Sequence, residues 1–454
     1  GLTVMTLTLD TTSGAYTVTQ NAALQHAAAD GTNSQAFAVG YQVLDKDSDP
    51  VDGVLNITVK DDIPSVVSNE LVELDDAALS GGSGGATIAN TSGVLAHDFG
   101  ADGQGMIEWL DTGAPSGFTF ESTGSTLLVK QGLVNVMTLT VDQATGAYTV
   151  VQNAAVSHPA GDSTNSIIFD IDYRVTDKDS DPVAGLLIIA VKDDIPSVSS
   201  NVLVHLDDAA LPGGSGGGTG DVLNTTGTLS HSYGADGAGS IVWLTTGSPT
   251  GFTYQASGSD LLVVQGTTTV MTLTVDSNTG AYTVVQNAAV DHTLGGGTNS
   301  QAFDVGYKVF DKDGDAVSGS LGITVKDDIP SGSFNQTVLL DDAVLTGGSG
   351  GSAGSIAYTT GTLDHHYNAD SVGVISWLTD GAPTGFTYVT SGDSLLVKQN
   401  DLVVMTLTLT NTSTGDYTVV QNAPLSHAAG LGTNTQDFTV SYLVTDHDGD
   451  TDIG

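Results

Sequence analysis

The sequence predicts an all-β protein, a tandem array of β-sandwich domains joined end to end by short acidic linkers. Three observations lead to this prediction. Apolar residues alternate with polar ones along short segments, turns rich in Gly, Asn and Asp separate those segments, and the same segments recur along the 454-residue chain. Alternation with period two is typical of half-buried strands, and many short strands with such turns are typical of a sandwich.

Internal repeats organise the chain. Met-Thr-Leu-Thr starts at residues 5, 137, 271 and 405, and Asp-Asp-Ile-Pro-Ser starts at 61, 193 and 327. We therefore expect residues 1–62 to be the C-terminal half of a truncated repeat, followed by a first repeat (63–194), a second repeat (195–328) and a third repeat (329–454) that is truncated at its C-terminal end. Since the chain begins and ends inside a repeat, we expect it to be a segment of a longer periodic protein, in which each copy contacts its neighbours.

Within a copy, the pattern predicts about nine strands and no convincing helix. Residues 271–286 contain two alternating segments around Ser-Asn-Thr-Gly, which predicts a β-hairpin. Residues 303–309 and 241–243 predict further strands. The first strand of a copy is expected from about Val66 to Leu74, and the last from Val183 to Lys192, which would span ~33 Å. The recurring Trp109, Trp243 and Trp377 are expected in the sandwich core rather than stacked on a sugar.

Composition excludes several classes of function. The chain has 52 acidic and 10 basic side chains, no Cys, and a formal net charge of −42. This charge repels nucleic acid and anionic membranes, and the lack of Cys excludes disulfides and thiolate metal sites. No apolar run is long enough for a membrane-spanning helix, so we expect no membrane insertion within this segment.

The acidic residues carry the only evident chemistry. Only four of the 52 acids are Glu, and Asp-x-Asp-x-Asp occurs at 45–49, 177–181, 311–315 and 446–450. Alternate carboxylates in a tight loop can converge on Ca²⁺, which takes six to eight oxygen ligands. The motif is not an EF-hand, because Pro182 stands at the sixth position and Ile188 at the twelfth. The alternative is a solvated, Asp-rich turn.

The position of these motifs predicts where they meet. If the first and last strands of a copy run the same way, one copy's Leu-Asp-Asp, the linker's Asp-Asp and the next copy's Asp-x-Asp-x-Asp converge at a junction. Two or three Ca²⁺ per junction would then neutralise the carboxylates, which otherwise repel one another. The predicted ligands at the first junction are Asp61, Asp62, Asp177, Asp179 and Asp181; at the second, Asp75, Asp76, Asp193, Asp194, Asp311, Asp313 and Asp315; at the third, Asp207, Asp208, Asp327, Asp328, Asp446, Asp448 and Asp450; and, outside these groups, Asp45, Asp47, Asp49, Asp341 and Asp342.

Two further sets of residues recur in every copy. Asp102, Asp236 and Asp370 follow the second strand and are either extra ligands or, as we favour, turn formers. The second set is His26, His158, His292 and His427, which follow Asn-Ala-Ala or Asn-Ala-Pro. Without Cys or a paired His spacing, hydrogen-bonded structural roles are favoured over transition-metal binding for these histidines.

The repeated motif resembles a known family. Tyr-x-Val-x-Asp-x-Asp-(Ser/Gly)-Asp, followed by Ile-x-Val-Lys-Asp-Asp-Ile-Pro, is similar to the tandem repeats of giant type I-secreted, RTX-type adhesins and agglutinins of Gram-negative bacteria. The similarity covers the whole chain. It implies immunoglobulin-like or cadherin-like sandwiches on the bacterial cell surface. Such sandwiches would form a Ca²⁺-rigidified extender that projects a binding domain and supports adhesion and biofilm formation.

Two other functions compete with this extender. The chain could be a subunit of an extracellular filament or surface layer, with other copies of itself as partners beside its own neighbouring repeats. It could instead be a Ca²⁺-dependent carbohydrate-binding module, for which a copy-specific insertion or an exposed aromatic cluster would be expected. We do not expect an enzyme, because no catalytic constellation stands out from the repeated background.

Overall fold

A computed structural model describes residues 1–27, 32–161, 164–216, 221–293, 297–427, 429–430, 432 and 434–454. Over these residues the chain is all-β, which confirms the predicted fold class, and its helical segments are single 3₁₀ turns at Asp76–Ala78, Asp208–Ala210, Asp342–Val344 and Asn368–Asp370. The chain forms two compact units, one of residues 1–198, 231–240 and 309–317, the other of residues 199–230, 241–308 and 318–454. In the described ranges, no helix has the length and apolar character needed to cross a membrane.

The N-terminal segment consists of two antiparallel hairpins. Its strands are β1 (Met5–Leu9), β2 (Tyr16–Gln20), β3 (Ser34–Leu44) and β4 (Pro50–Lys60). β1 pairs with β2, and β3 pairs with β4 along its full length.

The first repeat contains two main sheets. Its strands are β5 (Ser65–Val66), β6 (Val72–Asp75), β7 (Ser92–Val94), β8 (His97–Asp98), β9 (Met106–Trp109), β10 (Phe118–Ser122), β11 (Thr126–Gln131), β12 (Val134–Val141), β13 (Ala147–Gln152), β14 (Ser166–Thr176) and β15 (Pro182–Lys192). One sheet has the order β10-β11-β12-β13-β7, the other the order β6-β15-β14-β9, and β5 pairs separately with β8.

The second repeat has the same arrangement. Its strands are β16 (Ser197–Val198), β17 (Val204–Asp207), β18 (Thr226–Thr228), β19 (His231–Ser232), β20 (Ala238–Trp243), β21 (Phe252–Ser257), β22 (Asp260–Gln265), β23 (Thr268–Val275), β24 (Ala281–Gln286), β25 (Ser300–Asp311) and β26 (Ala316–Lys326). The sheet orders are β18-β24-β23-β22-β21 and β17-β26-β25-β20, with β16 paired to β19.

The third repeat retains the five-stranded sheet. Its strands are β27 (Ser331–Gly332), β28 (Thr360–Thr362), β29 (His365–His366), β30 (Val374–Trp377), β31 (Phe386–Ser391), β32 (Ser394–Gln399), β33 (Leu402–Asn411), β34 (Asp416–Gln421), β35 (Tyr442–Thr445) and β36 (Thr451–Ile453). The sheet orders are β28-β34-β33-β32-β31 and β30-β35-β36, with β27 paired to β29.

The predicted hairpin at residues 271–286 is confirmed, because β23 and β24 pair antiparallel from Met271↔Gln286 to Val275↔Tyr282. The prediction of one strand from about Val66 to Leu74 was wrong: this segment is divided between β5 and β6, which lie in different sheets. Asn69 lies at the division. Its Nδ2 donates to the Leu186 carbonyl oxygen at 2.9 Å, and its Oδ1 accepts from Ala96 N at 2.8 Å. The Asn69 side chain thus hydrogen-bonds to backbone groups at the point where the strand pairing of this segment is interrupted.

The sandwich core lies between the two main sheets of each repeat. In the first repeat, Leu139 and Leu127 of one sheet and Ile171 and Ile189 of the other are fully buried. Trp109 is buried in the same core and packs edge-on against the Tyr173 ring, with centroids 6.2 Å apart. The alternating apolar residues thus form the core, as their period predicts.

In each of the first two repeats, one pair of parallel strands determines where the acidic segments lie. β6 runs parallel to β15, with Asp75 opposite Lys192, and β17 runs parallel to β26, with Asp207 opposite Lys326. Because paired parallel strands end at the same edge of a sheet, the Leu-Asp-Asp segment and the linker's Asp-Asp leave each repeat side by side.

Candidate metal centre

Each Asp-x-Asp-x-Asp motif forms a tight loop between two long strands. In the loop that joins β14 to β15, Asp177 Oδ1 accepts from Asp181 N at 2.8 Å, and Ser180 adopts a left-handed φ of 85°. Glycine takes this left-handed position at Gly314, which suits it because glycine has no Cβ. One ligand atom from each of Asp177, Asp179 and Asp181 lies within 4.8 Å of the others, so the loop points its carboxylates at a common point.

A glycine lets the neighbouring strand approach the loop closely. A Cβ at Gly239, in β20, would lie 1.9 Å from the Asp311 carbonyl oxygen. The same holds in the third repeat, where a Cβ at Gly373 would lie 1.8 Å from the Thr445 carbonyl oxygen. No residue with a side chain fits at either position without a shift of backbone, so these glycines hold the edge strand against the acidic loop.

The first cluster is formed by Asp61, Asp102, Asp177, Asp179 and Asp181, with His26. The His26 backbone N donates to Asp179 Oδ2 at 3.0 Å, and its Nδ1 lies 2.8 Å from Asp61 Oδ1. His26, Asp61, Asp102 and Asp179 each place one possible ligand atom within 4.8 Å of those of the other three. The whole cluster lies in the unit that contains residues 1–198.

The second cluster is formed by Asp76, Asp193, Asp236, Asp311, Asp313 and Asp315, with His158, and it also lies within one unit. His158 N donates to Asp313 Oδ2 at 3.0 Å, and Gly161 N donates to Asp315 Oδ1 at 2.9 Å. The His158 ring lies between two carboxylates, with Nδ1 3.2 Å from Asp193 Oδ1 and 3.6 Å from Asp76 Oδ2. Residues from the first repeat, the linker and the second repeat therefore meet here.

The third cluster repeats this geometry in the other unit. Its members are Asp208, Asp327, Asp370, Asp446, Asp448 and Asp450, with His292. His292 N donates to Asp448 Oδ2 at 3.0 Å, and Gly297 N donates to Asp450 Oδ1 at 3.0 Å. His292 Nε2 lies 3.0 Å from Asp208 Oδ2. The same contacts at two places in the chain indicate a built site rather than a chance grouping of acids.

Many carboxylate oxygens in these clusters are buried and accept no hydrogen bond. Among the described residues, both side-chain oxygens of Asp181, Asp327 and Asp370 have no donor, and Asp61 and Asp193 each have one such oxygen besides the Oδ1 that faces a histidine ring. One oxygen has no donor in each of Asp177, Asp179, Asp236, Asp311, Asp313, Asp315, Asp446 and Asp448. A buried, unpaired carboxylate is costly unless a cation compensates it. An oxygen-rich donor set of this kind fits Ca²⁺, a hard cation.

Burial raises the pKa of these carboxyl groups. Desolvation, followed by the charges of Asp313 and Asp76, raises the pKa of Asp236 to about 8. Desolvation, followed by the charge of Asp448, raises the pKa of Asp370 to about 8. The clusters therefore favour a bound positive charge, whether protons or a metal ion.

The imidazole of the second cluster supplies one positive charge itself. Burial alone would lower the pKa of His158, but the nearby Asp193 carboxylate, the Val191 carbonyl oxygen and the Asp76 charge together raise it to about 9. One imidazolium cannot balance the six carboxylates around it.

Some predicted ligands lie outside the clusters. Asp75, Asp207 and Asp341 each cap the 3₁₀ turn that follows, where the side chain accepts from the backbone N of Ala77, Ala209 or Ala343. Asp75 Oδ2 also accepts from Thr87 N at 3.1 Å. The capping residue and the cluster member are therefore neighbours in sequence, and only the second Asp of Leu-Asp-Asp enters a cluster.

The second Asp of each linker has another partner. Asp194 accepts from Ser83 N at 3.0 Å and from Ala235 N at 2.8 Å, and Asp328 accepts from Ser215 N at 2.9 Å and from Ala369 N at 3.1 Å. Asp62 likewise accepts from Ala101 N at 2.7 Å. The second Asp of each linker thus accepts hydrogen bonds from loops beside the clusters, whereas the first Asp lies in a cluster.

The predicted ligands of the N-terminal segment and of the third repeat's Leu-Asp-Asp are more exposed. Asp45, Asp47 and Asp49 have ligand atoms within 4.8 Å of one another, but all three residues are exposed. Asp342 accepts from Leu425 N at 3.1 Å and from Gln421, and its Oδ2 lies 3.3 Å from His427 Nε2.

Two further recurring sets of residues contribute to the clusters. Asp102, Asp236 and Asp370, for which the sequence favours a role as turn formers, lie in the clusters. Burial, followed by the charge of Asp179, raises the pKa of Asp102. The sequence favours structural roles for the histidines, and the His158 ring contacts the Val156 and Val191 carbonyl oxygens, at 2.7 and 3.0 Å. The signal for both sets was their recurrence at the period of the acidic motifs.

Comparison with protein families places this architecture. Residues 71–187 and 203–324 match the family described as "Domain of unknown function (DUF5801)". The chain belongs to the DUF5801 family. Its two DUF5801 matches fall within the first and second repeats, and each ends inside the last strand of its repeat, β15 or β26. No curated protein sequence matches the chain.

Comparison with solved structures found tandem cadherin domains. Drosophila N-cadherin, domains 1–4, is 11% identical, with 98% of this chain and 87% of that chain covered and a TM-score of 0.25. Mouse cadherin-23, domains 22–24, is 14% identical, with 87% of this chain and 98% of that chain covered and a TM-score of 0.27.

Proposed function

We propose that this chain is a Ca²⁺-rigidified extender of an extracellular bacterial adhesin, in which tandem repeats hold a binding domain away from the cell and support adhesion and biofilm formation. The repeats, with boundaries near residues 63, 195 and 329, are each other's partners in this proposal. It assigns no catalytic activity to the chain. Secretion by a type I, RTX-like route is part of the proposal and follows from the resemblance of the repeated motif.

One observation carries the proposal: buried carboxylates from consecutive repeats meet in a single cluster, with oxygens that accept no hydrogen bond. In the second cluster, Asp76 of the first repeat lies with Asp193 of the linker and with Asp311 and Asp315 of the second repeat, all buried. Asp193, Asp311 and Asp315 have carboxylate oxygens that no hydrogen-bond donor reaches. Removing several negative charges from water without a counter-charge is unfavourable, so the metal-free cluster disfavours the folded junction.

Bound Ca²⁺ would supply positive charge and would link groups from different repeats. The residues that would hold it are the members of the three clusters that have free carboxylate oxygens, such as Asp61, Asp193 and Asp327. The ions stabilise only the state in which all these groups are together, so binding energy becomes stability of the junction.

The test is small-angle scattering of the whole chain in Ca²⁺ and in chelator, with thermal melts on the same samples. We expect Ca²⁺ to give a larger maximum dimension and a higher melting temperature than chelator. Calorimetric titration with Ca²⁺ on the same protein gives the number of ions bound. Mg²⁺ is the comparison ion, because it demands near-ideal octahedral geometry and gives up water reluctantly.

The chain contains its own matched control. The triple variant with Asp311, Asp313 and Asp315 changed to Asn should lose ions from the titration and lose part of the Ca²⁺-dependent rise in melting temperature. The control changes Asp45, Asp47 and Asp49 to Asn in the same motif, whose three residues are exposed. We expect this control to keep the wild-type response.

Other outcomes would overturn the proposal. If Ca²⁺ changes neither the maximum dimension nor the melting temperature, the clusters are not metal-dependent junctions. Concentration-dependent assembly in the same scattering series would then favour the filament or surface-layer alternative. Ca²⁺-dependent retention on immobilised saccharide without a change in shape would favour a carbohydrate-binding module.

A further inference from the structure

The third repeat has a surface cavity of about 480 Å³ with an unusual lining. Four side chains with rings border it: Phe334, Tyr358, His365 and Tyr417. Polar side chains, among them Asn335 and Asp364, complete the lining. The volume falls in the range of small-molecule sites, which combine apolar walls with a few polar groups that orient the ligand. All these residues lie in one compact unit, and none of them belongs to the three acidic clusters.

Phe334 is an exposed aromatic that only this copy has. Phe334 is fully exposed. The equivalent positions of the first and second repeats are Ser68 and Ser200. A fully exposed ring adds nothing to the core. The replacement of serine by phenylalanine therefore has no folding benefit in this structure.

Tyr358 is a second copy-specific aromatic, and its backbone is strained. It has a left-handed φ of 57°, and the equivalent residues are Asn90 and Asn224, with φ of 56° and 60°. Asn tolerates this conformation, and its side chain here donates to a carbonyl oxygen, as Asn90 does to Leu71 at 2.8 Å. Tyr358 gives up both advantages while its side chain stays 54% exposed. Strain kept without a packing gain is typical of a functional position.

Asp364 is the third copy-specific residue at this cavity. The other repeats have Ala96 and Ser230 at this position. Its backbone is fixed, because Asp364 N donates to Asn335 Oδ1 at 2.7 Å and its carbonyl oxygen accepts from Tyr442 Oη at 2.6 Å. The exposed carboxylate is thus held on a rigid frame beside the two aromatic rings, where it can accept hydrogen bonds from a ligand.

We propose that this cavity, bounded by Phe334, Tyr358 and Asp364, is a binding site for a neutral saccharide. The aromatic rings offer flat apolar surfaces for the C–H faces of a sugar ring, and the carboxylate, amide and hydroxyl groups accept or donate to its hydroxyl groups. The net charge of −42 repels anionic ligands. Strand addition by a peptide is disfavoured, because the edge strand β28 has only three residues, Thr360–Thr362.

The test is titration of the whole chain with a panel of short neutral oligosaccharides of glucose, galactose, mannose and N-acetylglucosamine, followed by calorimetry and by ligand-observed NMR. We expect at least one saccharide to bind. Phe334→Ser and Tyr358→Asn restore the residues of the other repeats, so both variants should fold, and each should weaken binding by about tenfold. Tyr358→Asn should at the same time raise the melting temperature.

The matched control is Tyr16→Asn, which removes another exposed aromatic, 59% exposed, outside the third repeat and should leave saccharide binding unchanged. The proposal is overturned if no saccharide of the panel binds, or if Phe334→Ser and Tyr358→Asn bind as the wild type does. Binding of an oligolysine peptide that Phe334→Ser abolishes would overturn the saccharide assignment as well. Since the cavity uses no residue of the acidic clusters, failure here leaves the Ca²⁺ proposal to be decided by its own test.

Discussion

Changing Asp327 to Asn should have opposite effects on stability with and without Ca²⁺. Both carboxylate oxygens of Asp327 are buried and accept no hydrogen bond, and the residue is 1% exposed. Desolvation, followed by its contact with Asp450, raises the pKa of Asp327 to about 8 from an ordinary value of 3.8. Asn has the same shape and cannot ionise, so the substitution removes the cost of protonating or burying a carboxylate and keeps the packing.

The magnitude follows from the pKa. At pH 7, keeping this group in the metal-free fold costs about 4 kcal/mol, at about 1.4 kcal/mol per pH unit between the ordinary pKa and pH 7. Asp450 shares the charge, so we expect about 2 kcal/mol of stability to be gained in chelator, or a rise of about 6 °C in melting temperature. In Ca²⁺ the variant loses a ligand, so its melting temperature should fall below that of the wild type.

Differential scanning calorimetry in chelator and in saturating Ca²⁺ measures both effects. The control is Asp380→Asn, at an exposed position outside the clusters. It should change the stability by no more than about 0.5 kcal/mol in either condition, so both melting temperatures should stay close to those of the wild type. If Asp327→Asn is destabilising in chelator too, the carboxylate is satisfied in the metal-free protein and the reasoning from unpartnered oxygens fails.

Three further predictions concern pH, packing and the division between sheets. The pKa of Asp236 is raised from 3.8 to about 8, so between these pH values the metal-free folded state holds a proton that the unfolded state releases. In chelator, the contribution of Asp236 to stability should be full below about pH 4 and should fall as the pH rises toward 8, as thermal melts across that range would show. Gly373→Ala places a Cβ 1.8 Å from the Thr445 carbonyl oxygen and should cost about 3 kcal/mol, measured by urea unfolding. Asn201→Ala removes hydrogen bonds to Tyr307 Oη at 3.0 Å and to two backbone groups, and should cost about 2 kcal/mol in the same assay.

Each of these predictions has its own check. In saturating Ca²⁺, the decline with pH should disappear or reverse, because Ca²⁺ competes with protons for the same carboxylates; an identical decline in both conditions contradicts the argument. Gly40→Ala, with no atom within 4 Å of the new Cβ, is the control for Gly373→Ala, and equal stability losses would show that steric overlap is not the cause. A neutral Asn201→Ala would mean that its partners find other hydrogen bonds.

The sequence alone determined the all-β class, hairpins such as that of β23 and β24, and the residue types of the candidate site. The alternating apolar segments at residues 271–286 could form only one amphipathic arrangement, so the hairpin of β23 and β24 followed from period and turn chemistry. The recurrence of Asp-x-Asp-x-Asp beside Asp-Asp-Ile-Pro likewise identified the acidic motifs. Both signals are local, and local signals can be read without knowing which strands pair.

The tertiary structure decided which of two adjacent carboxylates enters a cluster. Asp75 and Asp76 are adjacent residues of the same type, but they have different partners. Asp75 begins the 3₁₀ turn and accepts from Ala77 N, whereas Asp76 accepts from Val156 N at 3.0 Å within the second cluster. It also decided that His158 contacts Asp313, which is 155 residues away in sequence. Such choices depend on side-chain direction and on the meeting of distant loops, which arise from how strands pair and sheets pack.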